Sequence, residues 1–382
     1  MTHYKIPFNK PSTTGREFEY MQQALKFGQL SGNGHYTQLC HKFFRERYGF
    51  AKTLLTTSCT DALEMSALLL DILPGDEVIL PSYTFVSTAN AFALRGAKLQ
   101  FVDCCSKTPH MDVDALEPLI TKRTKAIVPV HYGGVACAMD ELLALADHYE
   151  VSVIEDAAQA VDAYYKKTPL GALGTLAAFS FHETKNISSG EGGMLVVNKP
   201  KLESRAEVMW EKGTNRAAYF RGEVDKYTWI DLGSSFLPSE LTSAYLMAQL
   251  ESIDLLQHRR KELWSCYYQE LADLERLEKV QLPYVPDYSQ HNAHLFYIVC
   301  KSLGQRIAVQ QKLSEKGILA VSHYVPLHSS PFYIKQYQGE VLPRCDMYAE
   351  CLLRLPLYPG LTNAEQAYVI ENVRIALSHV PQ

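Results

Sequence analysis

The 382-residue sequence predicts an α/β fold, with a large domain built on a mostly parallel central sheet and a smaller C-terminal α/β domain. Three observations carry this reading. Between about residues 52 and 155, apolar runs of four to six residues alternate with segments of helical spacing, the pattern of strands buried on both faces of a sheet. Turn signals such as Pro74-Gly75-Asp76 separate them. At Pro238-Ser239-Glu240 the pattern gives way to the start signature of a long helix reaching into the 270s, and a second, shorter alternation follows it. Residues 1–240 are therefore assigned to the large domain, N-terminal helical segment included, and 241–382 to the linking helix and smaller domain.

Taken in order, residues 15–28 and 36–48 have helical spacing. The small polar loop between them, Leu30-Ser31-Gly32-Asn33-Gly34, either lies over a ligand or simply turns the chain. Lys52-Thr53-Leu54-Leu55 reads as a strand, and Thr57-Ser58-Cys59-Thr60 opens a helix running to about Ile72. Strand 77–80, helix 85–95, strand 98–102, helix 112–120, strand 125–130, helix 139–149 and strand 151–155 follow. Leu176-Ala177-Ala178-Phe179 and Met194-Leu195-Val196-Val197 are short buried strands, with helical sequence after residue 199 to about 211. Arg216 to Trp229 has no assignable period. The smaller domain reads as strand 295–300, helix 304–316, strand 318–322 and helices near 344–354 and 363–378.

A composition of 47% hydrophobic and 21% charged residues is that of a globular protein, and a formal charge of −5 without a basic stripe argues against nucleic-acid binding. The nine cysteines are scattered without a C-x-x-C pair, so neither a zinc ribbon nor a disulfide framework is expected. Met1-Thr2-His3-Tyr4-Lys5 lacks the apolar core of a signal peptide, and no run approaches the ~20 apolar residues that cross a bilayer. A cytoplasmic location is the expectation.

Chemistry concentrates between the two short strands, in Ser180-Phe181-His182-Glu183-Thr184-Lys185-Asn186 and Gly190-Glu191-Gly192-Gly193. A lysine in a partly desolvated pocket loses preference for the ammonium form, and the free amine can form a Schiff base. Alone, Lys185 would read first as a solvated surface charge, as most lysines near glycine-rich loops are. His182-Glu183 resembles the start of an HExxH zinc motif, but Asn186 stands where the second histidine belongs, so no metal is expected. Two other stretches supply partners. The turn before Asp61 is either an anion site, with Cys59 and Thr60 as donors, or a simple N-cap. Asp156, at the carboxyl end of a strand, either meets a cationic ligand atom or caps the next helix.

Ser-Cys-Thr-Asp-Ala-Leu (58–63), Pro-Ser-Tyr-Thr-Phe (81–85), Glu-Asp-Ala-Ala-Gln (155–159), Ser-Phe-His-Glu-Thr-Lys (180–185) and Gly-Glu-Gly-Gly (190–193) occur in the order that resembles the DegT/DnrJ/StrS family of nucleotide-sugar aminotransferases. The resemblance covers essentially the whole chain. It implies the fold type I, aspartate aminotransferase-like architecture of pyridoxal-phosphate enzymes, with pyridoxal 5'-phosphate as cofactor. Lys185 is then the Schiff-base lysine and proton shuttle, and Asp156 the partner of the pyridine nitrogen. Phe85 stacks on the ring, Gln159 packs on its other side or reaches the phenolic oxygen, and Cys59, Thr60 and Ser180 hold the phosphate. The family builds its sites at a homodimer interface, which implies a contact from Ser235 to the partner subunit's phosphate. Gly233 to Pro238 departs there from the family's Gly-Tyr-Asn-x-Arg-Met.

The stretches at 68–72, 81–92, Pro-Val-His-Tyr (129–132) and Val-Asp-Lys-Tyr-Thr-Trp (224–229) resemble the family members that aminate dTDP-4-keto-6-deoxyglucose with L-glutamate for enterobacterial common antigen or O-antigen synthesis. On that resemblance His182, Gly32, Tyr324 and His328 line the sugar pocket, and Arg221 or Lys226 neutralises the nucleotide diphosphate. An equatorial C4 amine, or a 3-keto or UDP-linked sugar, stays open as substrate chemistry. Related sugar dehydratases carry histidine in place of the lysine, so Lys185 speaks against dehydration; with Asp156 and the phosphate turn it also speaks against a non-catalytic binding protein.

Overall fold

The structure is a computed structural model that describes residues 4–378; most of the N-terminal segment read above for a leader lies outside the described residues. The strands are β1 (Lys52–Thr56), β2 (Glu77–Pro81), β3 (Lys98–Val102), β4 (Thr124–Ile127), β5 (Ser152–Asp156), β6 (Tyr164–Tyr165), β7 (Thr168–Pro169), β8 (Leu176–Ser180), β9 (Gly193–Val197), β10 (Ser289–Gln290), β11 (Phe296–Val299) and β12 (Leu352–Leu355). Seven form one sheet in the order β1-β9-β8-β5-β4-β2-β3. All neighbours from β8 to β3 run parallel, and β9 alone is antiparallel to both its neighbours. Every residue of β2, β8 and β9 is buried, as a sheet covered on both faces requires. Parallel strands put the carboxyl ends of β2, β5 and β8 at one edge, so Pro81, Asp156 and Ser180 end together. Beside the sheet lie β10-β6-β7 and the pair β11-β12.

Apolar side chains form a core on each face of the sheet, one around Phe44, Phe179 and Phe181 and one around Met65, Phe92 and Tyr348. A third core joins Leu263, Tyr267, Phe296, Ile298 and Val373 in the C-terminal part. Ile6, fully buried, belongs to that third core and bridges Ile318, so the start of the chain packs on the C-terminal part although it precedes residue 240. Among the described residues no helix is long and apolar enough to cross a membrane.

Four expected elements differ, and the stretch without an assignable period contains a short helix. The helix expected over 112–120 is two 3-10 turns, Val113–Ala115 and Glu117–Leu119, because Pro118 has no N–H to donate and disfavours helical backbone at the residue before it. The long helix from Glu240 breaks at Ser252 (φ −103°, ψ 11°) into Glu240–Glu251 and Ile253–Arg276. Residues 318–322 make isolated bridges, Ile318 to Ile6 and Val321 to Arg354, and no strand. The helix near 344–354 stops at Cys351, and Leu352–Leu355 turns extended because its leucines bury against β11. The unassigned stretch contains the helix Arg216–Phe220 and a return closed by a bridge from Thr214 to Trp229.

Candidate active site

At the edge where β2, β5 and β8 end lies a cavity of about 960 Å³. Its floor is the loop from Phe181 to Gly192. Backbone bonds from Phe181 N to Gly192 O, Glu183 N to Gly190 O and Ser189 N to Phe181 O, all 2.8 Å, tie the loop's two arms together. Phe181 anchors it, fully buried with its ring 5.6 Å from that of Phe44. Lys185 stands on this loop, half-buried, and lines the cavity. Burial pulls its pKa below the ordinary lysine value, a shift that Cys59 and Asp156 offset in part and Arg354 reinforces.

Asp156 faces the same cavity from the end of β5. Its Oδ2 accepts from Thr88 Oγ1 at 2.7 Å and its Oδ1 from the Ala158 N–H at 3.1 Å. Burial nonetheless raises the carboxyl's pKa above the ordinary aspartate value, against the pull of Thr88, Ala158 and Lys185. Its neighbour Glu155 points the other way. It accepts from His131 Nε2 at 3.0 Å and from the backbone N–H groups of Gly171, Leu173 and Gly174, fixing the strand end from behind.

The third wall is the N-terminus of the helix Cys59–Leu69. Ser58 caps it, accepting from Asp61 N at 3.1 Å, so Ser58 is the N-cap. Cys59 and Thr60 occupy its first turn on the cavity side, and Thr60 Oγ1 donates to Ser87 Oγ at 2.7 Å. Gly193 backs this turn. A Cβ there would lie 2.3 Å from Ser58 C and 2.4 Å from Cys59 N, so only glycine lets β9 start this close. The turn is therefore at once a capped helix and an anion-binding wall.

Of the residues singled out in the sequence, Cys59, Thr60, Phe85, Asp156, Gln159, Ser180, His182, Lys185 and Tyr324 line this one cavity. Gln159 is held between the Gly133 N–H, which its Oε1 accepts at 2.6 Å, and the Tyr324 hydroxyl, to which its Nε2 donates at 2.9 Å. Phe85 is 57% exposed, with its ring open to the cavity. Five others do not line it. Gly32 packs on Leu237 and Pro238. Arg221 lies on the surface, paired with Glu207 at 3.0 Å and Glu223 at 2.7 Å. Lys226 and Ser235 are exposed elsewhere, Ser235 bridging Glu211. His328 turns away because Ser82 Oγ (2.7 Å) and Asp346 (3.5 Å) engage its two ring nitrogens.

The cavity also holds residues that the sequence did not single out: Thr88, His294, His323 and Arg354, with Phe8 and Asn9 from the N-terminal arm. Thr88 stands in the helix Val86–Ala93, its Oγ1 2.9 Å from that of Thr84, and nothing in its local sequence marks it. Arg354 is more unusual. Its Nη2 donates to Ser322 O at 2.9 Å and its guanidinium lies 4.6 Å from the Phe8 ring centroid, but its buried Nε has no partner. Burial lowers its pKa, with only tyrosines opposing.

Known proteins are similar to this chain over nearly its full length. The spore coat polysaccharide biosynthesis protein SpsC of Bacillus subtilis is 33% identical over 378 residues, 97% of this chain and 96% of that protein. Among solved structures, the putative sugar aminotransferase Spr1654 of Streptococcus pneumoniae in its PMP form superposes with a TM-score of 0.91 at 25% identity, over 98% of this chain and 99% of that one. DesV of S. venezuelae superposes at 0.89 with 30% identity, over 98% and 99%. The family model for DegT/DnrJ/EryC1/StrS aminotransferases matches residues 11–374, and the chain belongs to that family.

Proposed function

We propose that the chain moves the amino group of L-glutamate to C4 of dTDP-4-keto-6-deoxy-D-glucose. The product would be dTDP-4-amino-4,6-dideoxy-D-galactose, made in the cytoplasm for a cell-surface polysaccharide. Sugar aminotransfer dependent on pyridoxal phosphate comes with the family. The observation that carries the catalytic assignment is the convergence of Lys185, Asp156 and the helix start at Cys59 on one cavity. The finer substrate rests on the likeness of residues 81–92 and 224–229 to dTDP-sugar enzymes, and SpsC, a spore coat polysaccharide biosynthesis protein, supports the polysaccharide role.

The residues present fit pyridoxal 5'-phosphate. The first-turn N–H groups at Cys59 and Thr60, with the Thr60 and Ser180 hydroxyls, suit a phosphate dianion, and Gly193 leaves that cradle unfilled. Asp156 suits a protonated pyridine nitrogen: a cation beside a buried carboxylate restores its ionised form. Phe85 would cover a ring face, and Gln159 the opposite rim. When bound, the cofactor supplies an electron sink for the carbon whose nitrogen is exchanged. The chain's own part is proton handling and orientation. The Lys185 Nζ, whose hold on its proton burial weakens, would accept the proton from the donor's α-carbon and return one to C4 of the sugar. Arg354, a cavity cation without a carboxylate partner among the described residues, would orient the donor's carboxylate.

The catalytic unit is a homodimer in this reading. The exposed aromatic and aliphatic side chains Phe220, Tyr227, Trp229, Ile230 and Leu232 form a surface that a second copy would cover. Residues 1–240 would carry the cofactor, and 241–382 would close the cavity with Tyr324 and Arg354. The test is incubation with L-glutamate and dTDP-4-keto-6-deoxy-D-glucose, reading the C4 configuration from proton NMR couplings. An axial amine is expected; an equatorial amine, or turnover only of a 3-keto or UDP-linked sugar, refutes the substrate assignment. A Lys185→Ala protein that still transaminates refutes the catalytic one.

A further inference from the structure

His294 lies outside every motif that led to the active site, yet its ring lines the cavity. Its tautomer is fixed by a chain of partners. Asn186, next to Lys185 and buried, donates through Nδ2 to Gln257 Oε1 at 2.9 Å and to the Asn292 carbonyl at 2.8 Å. The Asn292 backbone carbonyl can only accept, so the Asn186 amide cannot be flipped and its Oδ1 is an acceptor. His294 Nδ1 lies 2.8 Å from that Oδ1 and must therefore carry the proton. In the neutral ring this leaves the lone pair on Nε2. The ring's position is equally fixed: Asn292 Oδ1 accepts from the His294 N–H at 3.1 Å, and the buried Arg260 holds the carbonyls of Ala293 (3.1 Å) and His294.

The surroundings decide what such a lone pair can bind. Burial, Lys185, Arg260 and Arg354 all disfavour a proton on His294, so the ring stays neutral. The same cations disfavour an ammonium ligand at this wall. A carboxylate or phosphate has no proton to give. A neutral hydroxyl donor satisfies both conditions. We infer that His294 Nε2 accepts a hydrogen bond from a ring hydroxyl of the sugar substrate and is a specificity-determining residue for it. The inference rests on the sugar-aminotransferase reading, and in the proposed substrate the free ring hydroxyls are those on C2 and C3.

The two half-reactions separate this role from a structural one. Holoenzyme, wild type and His294→Phe, would be mixed with L-glutamate alone, following loss of the cofactor's visible absorption. The aminated forms would then be mixed with the parent keto sugar and with its 2-deoxy and 3-deoxy analogues. Removing one hydroxyl is expected to lower kcat/KM about 10-fold on the wild type and less than about 2-fold on His294→Phe, the sign of a shared contact. Each comparison is made within one enzyme, so any general damage from losing the Asn186 bond cancels. His294→Leu, which likewise has no acceptor, repeats the comparison should the phenylalanine variant fold poorly. Equal losses for both analogues on wild type and variants overturn the inference, as does a wild type indifferent to either deoxygenation. Failure of the wild type to react with any amino donor would instead overturn the aminotransferase reading itself.

Discussion

Replacing Gly193 by alanine puts the floor of the phosphate turn under direct stress. The new Cβ would lie 2.3 Å from Ser58 C and 2.4 Å from both Cys59 N and Ser58 O. These are backbone atoms, so no side-chain rotation relieves the overlap. Nor can β9 retreat, because Gly193 pairs with Thr56 on one side and Ser180 on the other. Overpacking of this kind costs about 1–3 kcal/mol. At roughly 2 cal/mol/K of unfolding entropy per residue, a chain this long loses about 1–4 °C in Tm. The larger effect falls on the cofactor. A displaced turn loses at least one charge-assisted N–H bond to phosphate, about 1.5–3 kcal/mol, so the Kd for pyridoxal phosphate rises about 10- to 150-fold. Calorimetry of the apoprotein and an absorbance titration with pyridoxal phosphate measure the two effects. Gly190→Ala is the control: nothing lies within 4 Å of its Cβ, and its φ of +80° costs about 1–2 kcal/mol of stability without touching the turn. A Gly193→Ala protein with wild-type cofactor affinity, or one no weaker than Gly190→Ala, would refute the argument.

Three further outcomes follow from the charges in the cavity. Burial raises the Asp156 pKa, so the folded apoprotein holds that proton more tightly than the unfolded chain does. Its contribution to stability therefore grows as pH falls through the raised pKa and is lost as pH rises. Asp156→Asn removes the cost, so the apoprotein Tm near neutral pH should rise while turnover falls about 100-fold or more; a lower Tm on calorimetry would contradict this. Thr88→Val deletes the 2.7 Å bond that favours the ionised carboxylate, so the acid limb of the kcat/KM profile should move to higher pH; an unmoved limb would deny Thr88 that role. Arg354→Met removes a cation whose Nε has no partner. It should raise KM for L-glutamate about 10- to 100-fold with the sugar half-reaction little changed and without loss of Tm, and an unchanged donor KM would remove Arg354 from the donor site.

How much of this was legible in the sequence depended on whether a residue's meaning is local. Lys185, Asp156 and the Cys59 turn each sit where a strand ends, and strand ends of a parallel sheet gather at one edge; knowing the strands was enough to bring the three together. Pro118 was a local signal too, and reading residues 112–120 as a helix ignored it. The break at Ser252 had no such mark, because the residues on both sides favour helix and only packing separates the two segments. Arg354 was hidden for a different reason. In Leu352-Leu353-Arg354-Leu355 a charged residue among leucines reads as the solvent side of an edge strand, whereas β12 turns that side to the cavity. Arg221 is the reverse case: a basic side chain that reads as free in sequence is paired with Glu207 and Glu223 in the fold.

The electrostatics of the cavity tie these cases together. Desolvation lowers the pKa of Lys185 and raises that of Asp156, so each is driven toward its neutral form, although their mutual attraction opposes both shifts. Desolvation outweighs that attraction at both groups. A pair in salt-bridge contact would have fixed lysine as ammonium and removed it as a nucleophile and base. Separation across the cavity instead leaves an amine available on one wall and a carboxylate in want of a cation on the other. Thr88 and the Ala158 N–H supply only part of what a buried carboxylate needs, which is why the site favours a ligand bringing positive charge to Asp156 while leaving Lys185 free to react.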